Sequence, residues 1–271
     1  MPKAPSHLPL FSLHGKVAIV TGGARHLGLA MANALAEAGA HVVVTSRSLQ
    51  AARLAARSIS SRFSLPTLAL ALDQRDPRSV AKVFAAAGRW QGRIDILVNN
   101  AGGNPNQGPR DLLSRAPSDA EELIQTNLVG VLHCCQAAAR IMVPQRKGRI
   151  INIASIAGLV GRDRRLYQRN QIKEQAVDYA AAKAGVIGLT RDLAAVLAPD
   201  GINVNAISPG GFAREDLPSS FVRDYSERTP LGRMGADESD LSGAVVFLAA
   251  PASAYITGHN LVVDGGFSIW R

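Results

Sequence analysis

Cysteine is nearly absent from this chain: of 271 residues only Cys134 and Cys135 carry a thiol, and they are neighbours. Adjacent cysteines build no disulfide framework, and without a second pair they offer no metal-ligand set, so no metal is expected. Aromatics make up only 5% of the residues and are not interleaved with basic ones. That argues against a nucleic-acid partner even at a net charge of +9, because the basic residues are spread along the chain. No apolar run approaches the ~20 residues that span a bilayer, so no membrane partner is expected. The first 13 residues hold three prolines and no apolar signal-peptide core, and residues 1–14 read as a flexible tail. These absences point to a cytoplasmic protein.

What is present is a chain that is 47% hydrophobic and 19% charged, enough for a substantial core. Strand and helix signals alternate throughout. Short apolar strands are expected at 17–21, 41–45, 67–72, 94–98, 149–153, 202–207 and 261–263. Helical patterns are expected at 27–38, 49–61, 77–87, 118–143, 175–197 and 237–249, with Ser118 and Glu121 in capping-box spacing. The strands lack in/out alternation, as expected when helices cover both sheet faces. The fold class read from this is α/β: one Rossmann-like, doubly wound parallel sheet of about seven strands over residues 15–271.

Two constellations carry chemistry. Thr21-Gly22-Gly23-Ala24-Arg25-His26-Leu27-Gly28 follows the first strand and opens the first helix. Glycines there let backbone N–H groups approach a pyrophosphate, and the helix N-terminus favours its charge. The fourth strand ends in Asn99-Asn100-Ala101-Gly102-Gly103, which a 3-2-1-4-5 strand order brings to the same crevice. The second strand ends in Thr45-Ser46-Arg47, with no acid to bind a ribose 2′-hydroxyl. Ser46 and Arg47, with Arg25 as a second cation, suit a 2′-phosphate, so NADP(H) is expected in preference to NAD(H). Further on, Tyr179 and Lys183 stand four apart on an alanine-rich helix and therefore share a face. An ammonium beside a phenol is expected to pull the phenol pKa down toward neutrality.

Together, 21–28, Asn99 to Gly102, Asn127, Ser155, Tyr179 with Lys183, and Pro209-Gly210 resemble the short-chain dehydrogenase/reductase family over nearly the whole chain. The resemblance implies that Tyr179 exchanges the substrate proton, that Lys183 tunes it and holds the nicotinamide ribose, that Ser155 orients the substrate, and that Asn127 supports a proton-relay water. It also implies cofactor contacts at Gly22, Leu27, Gly28, Asn100, Ala101, Gly102, Pro209 and Gly210, and an adenine contact at Asp73. It further implies a homo-oligomer, a tetramer. One position departs from the family motif: His26 stands where its middle glycine belongs, so that a side chain either crowds the cofactor or contacts it.

The segment between Ser155 and Tyr179 is 23 residues long, more than the family usually leaves. It carries Arg162, Arg164, Arg165, Arg169 and Lys173 against Asp163 and Glu174. Arg binds carboxylates and phosphates through paired donors, so Arg164 and Arg165, with Arg214 in a substrate lid over 211–228, are the expected substrate contacts. The insert and the stretch 228–234 look like the gluconate 5-dehydrogenase-like branch. Three functions follow as alternatives: an NADP(H)-dependent oxidoreductase of a polar keto or hydroxy compound, acidic or neutral, such as a sugar acid; a 3-oxoacyl-carrier-protein reductase; and a non-catalytic cofactor-sensing protein.

Overall fold

A computed structural model describes residues 9–103 and 108–269. Seven parallel strands form one sheet: β1 (Val17–Val20), β2 (His41–Ser46), β3 (Thr67–Ala71), β4 (Ile96–Asn99), β5 (Gly148–Ile153), β6 (Ile202–Pro209) and, last in the chain, β9 (Asn260–Val263), in the order β3-β2-β1-β4-β5-β6-β9. The period-2 geometry of a strand explains why β1 is apolar at every position. Ala18 and Val20 join the core on one side of the sheet, while Val17 and Ile19 join the core on the other. Each such fully buried Val or Ile contributes about 2 kcal/mol of apolar burial.

The helices α1 (His26–Glu37), α2 (Leu49–Phe63), α3 (Pro77–Gln91), α4 (Pro117–Ile124), α5 (Gly130–Gln145), α6 (Arg164–Arg169), α7 (Val177–Leu197), α8 (Ser219–Ser226) and α9 (Ser242–Ala249) complete the fold. A small two-stranded ladder pairs β7 (Phe212–Ala213) with β8 (Gly235–Ala236). Local chemistry sets the helix ends. Ser48 caps α2 by accepting from the Ala51 N–H at 3.2 Å, and Asp76 caps α3, whose first residue is Pro77.

Three expectations change. The helix expected over 118–143 begins at Pro117, preceded by Ala116 with no side-chain cap; proline at the first helical position replaces the Ser118/Glu121 capping box. The same helix is interrupted by a π-helical turn at Gln125–Val129 between α4 and α5, which carries Asn127. The segment expected as a tail is ordered from Pro9. Pro9–Phe11 form a 3₁₀ turn and Leu13 is buried, its N–H donating to the Ala38 carbonyl at 2.8 Å. Residues 1–8 lie outside the described residues.

Candidate active site

At the carboxyl ends of β1 and β4 the winding of the sheet reverses, and a cavity of about 820 Å³ opens there. Its nucleotide end is made of backbone. Gly28 sits so close to the Gly22 carbonyl and the Asn100 amide that any Cβ would collide with both. Thr21 ties the two loops together, its Oγ1 accepting from the N–H groups of Asn100 and Ala101 at 3.0 Å each. Asn100 answers by donating to the carbonyls of Thr21 (3.0 Å) and Gly22 (3.2 Å).

His26, where glycine was expected, has φ +48°, in the left-handed region that explains the usual glycine. Its Nδ1 lies 3.3 Å from Asp237, so the imidazole is directed to a carboxylate ahead of α9. Arg25, Leu27, Ser46, Arg47 and Asp73 line the same end. Arg25 and Arg47 have no ion-pair partner among the described residues. Asp73 is held by Arg75 through bonds of 3.1 and 2.8 Å, which keeps its carboxyl below the usual range. A glycine cradle, a helix N-terminus and two unpaired cations fit a dinucleotide with an extra phosphate.

The chemical end is placed by β5 and α7. Ser155 follows β5 and starts a 3₁₀ turn, its Oγ accepting from the Ala157 N–H at 3.1 Å. Gly158 in that turn presses on α7, where a Cβ would come within 2.6 Å of the Ala184 nitrogen. That close approach sets Ser155 beside Tyr179 in the cavity wall, near enough for its hydroxyl to favour the phenolate. A buried chain then fixes the two elements. Asn99 donates to Asn152 at 2.9 Å, Asn152 to Thr190 of α7 at 3.0 Å, and Thr190 to the Val186 carbonyl at 2.8 Å.

Lys183 and Tyr179 do share a face, with the ammonium 5.7 Å from the ring centroid. The expected lowering of the phenol pKa is not what this arrangement gives. Lys183 is buried and donates to the Ile153 carbonyl at 2.8 Å, and desolvation brings its own pKa down to about 8. Burial likewise raises the Tyr179 pKa, against smaller lowering effects of Ser155 and Arg162. The phenol therefore carries its proton at neutral pH, the state a proton donor needs.

Asn127 is fully buried and fully used. Its Oδ1 accepts from the Gly103 N–H (2.8 Å), and its Nδ2 donates to the carbonyls of Gly103 (2.7 Å) and Leu123 (3.0 Å). The π-helical turn thus clamps the loop after β4, a common use of such turns at functional sites. Gln74 supports the same loop, donating to the carbonyls of Ala101 (3.0 Å) and Thr126 (2.6 Å). Gly210 lines the cavity beyond β6, packed too tightly on Asp264 to admit a Cβ, with Pro209 behind it.

The expected substrate contacts are rearranged. Arg164 pairs with Glu174 at 2.7 Å, and Arg165, largely exposed, pairs with Asp163 at 2.9 Å. Neither lines the cavity; Arg162 and Arg214 do. The insert folds as α6 and packs on α8 of the lid through Leu166, Tyr167, Phe221 and Tyr225, with Tyr167 and Phe221 5.4 Å apart. Asp163 receives Arg228 at 2.6 Å and Asn170 donates to Asp224 at 3.0 Å, so the insert is joined to the lid as a roof. Sequence reasoning missed Arg162, Gln74, Asp237 and the Asn99–Asn152–Thr190 chain. Only Arg162 carried a signal, as one of five cations in the insert.

Comparison with known proteins follows the same lines. Residues 22–268 match a family described as enoyl-(acyl carrier protein) reductase. The chain is 36% identical to 3-oxoacyl-[acyl-carrier-protein] reductase of Aquifex aeolicus over 260 residues, covering 94% of this chain and 98% of that one. It is also 36% identical to gluconate 5-dehydrogenase of Gluconobacter oxydans over 270 residues, covering 97% and 99%. The structure of a gluconate 5-dehydrogenase from Burkholderia cenocepacia in complex with NADP and tartrate superposes with a TM-score of 0.86 at 34% identity, covering 97% of this chain and 99% of that one.

Proposed function

Because this chain belongs to the short-chain dehydrogenase/reductase family, an oxidoreductase family acting on alcohol and carbonyl groups, we propose that it transfers a hydride between NADP(H) and a small polar substrate, an acidic keto or hydroxy compound such as a sugar acid. The observation that carries this reading is one cavity lined by the Gly22–Gly28 cradle, unpaired Arg25 and Arg47, and the Ser155–Tyr179 pair. The bound cofactor supplies the hydride when a carbonyl is reduced. Ser155 orients the carbonyl oxygen, and Tyr179, protonated because it is buried, gives that oxygen its proton. Lys183 holds the Ile153 carbonyl and, at a pKa of about 8, stays charged at neutral pH. The roof of α6 and α8 lines the substrate end with Leu166, Tyr167, Phe221 and Tyr225.

The acidic substrate is supported by cations on the cavity wall, and by tartrate, a dicarboxylate, in the Burkholderia complex. The 3-oxoacyl-carrier-protein reductase reading has similar sequence identity and is placed second, because the insert and lid are joined through Asp163–Arg228 at the substrate end. Val177 and Val196 on α7, and Val262 and Ile269 near the C-terminus, are exposed apolar residues, which supports assembly as a homo-oligomer.

The test is NADPH and NADH oxidation over a panel of carbonyl compounds, with Tyr179→Phe beside the native protein. Expected are NADPH preference, turnover of small keto acids, and loss of turnover of about 10²-fold or more in the variant with NADPH binding retained. Preference for a carrier-linked 3-oxoacyl group would establish the reductase alternative, and no turnover of any carbonyl the non-catalytic one.

A further inference from the structure

Three of the insert's four arginines are occupied. Arg164 pairs with Glu174, Arg165 with Asp163, and Arg169 with Asp224 at 3.3 Å. Arg162 differs. It has no carboxylate within ion-pair distance among the described residues, it is half-buried, and it lines the cavity. Its guanidinium carbon lies 5.9 Å from the centroid of the Tyr179 ring. One Nη2 hydrogen bond, 3.1 Å to the Ala176 carbonyl just ahead of α7, fixes the arm on the helix that carries Tyr179. A guanidinium has five N–H donors, so most of the fork is free to take a ligand. A partly desolvated cation with no carboxylate in contact, its nearby Glu174 being taken by Arg164, is costly in the free protein, and an anionic ligand lowers that cost.

We propose that Arg162 is the specificity-determining residue of the substrate site, binding a carboxylate carried on the carbon next to the reacting one, so that the substrate class is a 2-oxo acid or, in the reverse direction, a 2-hydroxy acid. This deepens the oxidoreductase reading and rests on it.

The spacing sets the class. The Arg162 guanidinium carbon lies 5.9 Å from the centroid of the Tyr179 ring, so one small substrate can bond Arg162 through a carboxylate and the Tyr179 phenol through its carbonyl oxygen, and a 2-oxo acid is the shortest compound that carries both groups. The rest of the substrate meets a mixed wall, apolar at Val160, Leu217 and Phe221 and polar at Gln175, Arg214 and Asp216, which suits a short remainder that can carry hydroxyls. In the reduction, the carbonyl carbon gains a hydride from the reduced nicotinamide, which is oxidised. The C=O π pair becomes the O–H bond using the Tyr179 proton, and the phenolate regains a proton from solvent. The carboxylate stays ionised on Arg162 throughout.

The test compares native protein, Arg162→Gln and Arg162→Lys on a short 2-oxo acid and on its methyl ester. Alongside, calorimetry follows binding of oxamate, an unreactive 2-oxo acid mimic, with and without NADPH. Expected in Arg162→Gln is a KM for the acid raised roughly 10- to 150-fold, the loss of a charge-assisted pair, against a much smaller change for the ester. Arg162→Lys should recover part of the loss, and oxamate binding should weaken in parallel. Equal effects on acid and ester, or a native protein that prefers the ester or does not bind oxamate, would overturn the assignment. Arg162-dependent oxamate binding in a protein that reduces no carbonyl would uphold the anchor and remove the oxidoreductase reading instead.

Discussion

The two ends of the cavity are built from different materials. At the nucleotide end, the surface offered to the ligand is largely backbone: Gly22, Gly28 and the Asn100–Gly102 turn, cross-tied through Thr21 and Asn100. At the substrate end it is side chain, supplied by an insert and a lid that lie far apart in sequence and meet through Asp163–Arg228 and Asn170–Asp224. A backbone cradle is specified by a short run of residues and tolerates no Cβ at its closest points. A side-chain wall depends on which charges find partners across the fold. The first end therefore fixes what cofactor chemistry is available, and the second is where the substrate is chosen.

The largest expected effect falls where the two ends meet. Lys183→Met should lower kcat by about 10²-fold or more and also weaken NADPH binding. In the native protein, kcat/KM for carbonyl reduction should fall as pH rises through about 8, where the Lys183 ammonium is neutralised. Tyr179, whose pKa burial raises, keeps its proton over that range. A pH–rate profile of native protein and variant checks this: the alkaline limb near 8 should disappear with the lysine.

At the nucleotide end alone, Arg47→Ala should weaken NADPH by roughly 10- to 150-fold and leave NADH nearly unchanged, as fluorescence titration would read. Equal weakening of both would mean that Arg47 shapes the loop without meeting a 2′-phosphate.

At the substrate end, Asp163→Asn should loosen the roof, detected as faster proteolytic cleavage within residues 160–230. Arg165 first, then Arg228, hold the Asp163 carboxyl well below its ordinary value. A depressed carboxylate contributes fully above its unfolded pKa of about 4 and loses that contribution as pH falls toward the folded one. The native cleavage rate should accordingly be flat from about pH 8 to pH 5, and a rise between those values would assign roof closure to another group.

How much of this was legible in the chain follows from the same contrast. The seven-stranded parallel sheet could be read because short apolar strands alternate with helical patterns, with β1 and β4 buried at every position, and the cradle because glycine spacing reports backbone approach directly. The Tyr179–Lys183 face was legible from the helical repeat, but the direction of the phenol pKa was not. It depends on burial and on the Ile153 carbonyl that takes the Lys183 ammonium, and spacing reports neither. The insert was recognised as basic, yet Arg164 and Arg165 were indistinguishable from Arg162 without their partners. Glu174 lies close in sequence, while Arg228, which shares Asp163, is 65 residues away.

The smallest expected effect concerns the residue that departs from the glycine pattern. His26→Gly relieves a left-handed side chain, worth about 1 kcal/mol, and gives up a half-exposed pair with Asp237 worth less than about 1 kcal/mol. The net change should be a Tm raised by no more than about 2 °C, measured by calorimetry. A clear drop in Tm would show that the contact to Asp237 outweighs the strain.

The independence of the two ends is tested most directly by one double-mutant cycle. NADPH-dependent kcat/KM for a short 2-oxo acid is measured below saturating cofactor for native protein, Arg47→Ala, Arg162→Gln and the double variant. Sites that share no partner are additive within roughly 0.5 kcal/mol, so the two losses should multiply to within about twofold. A double variant no worse than the more damaged single one would contradict the account, because the two arginines would then be serving the same ligand.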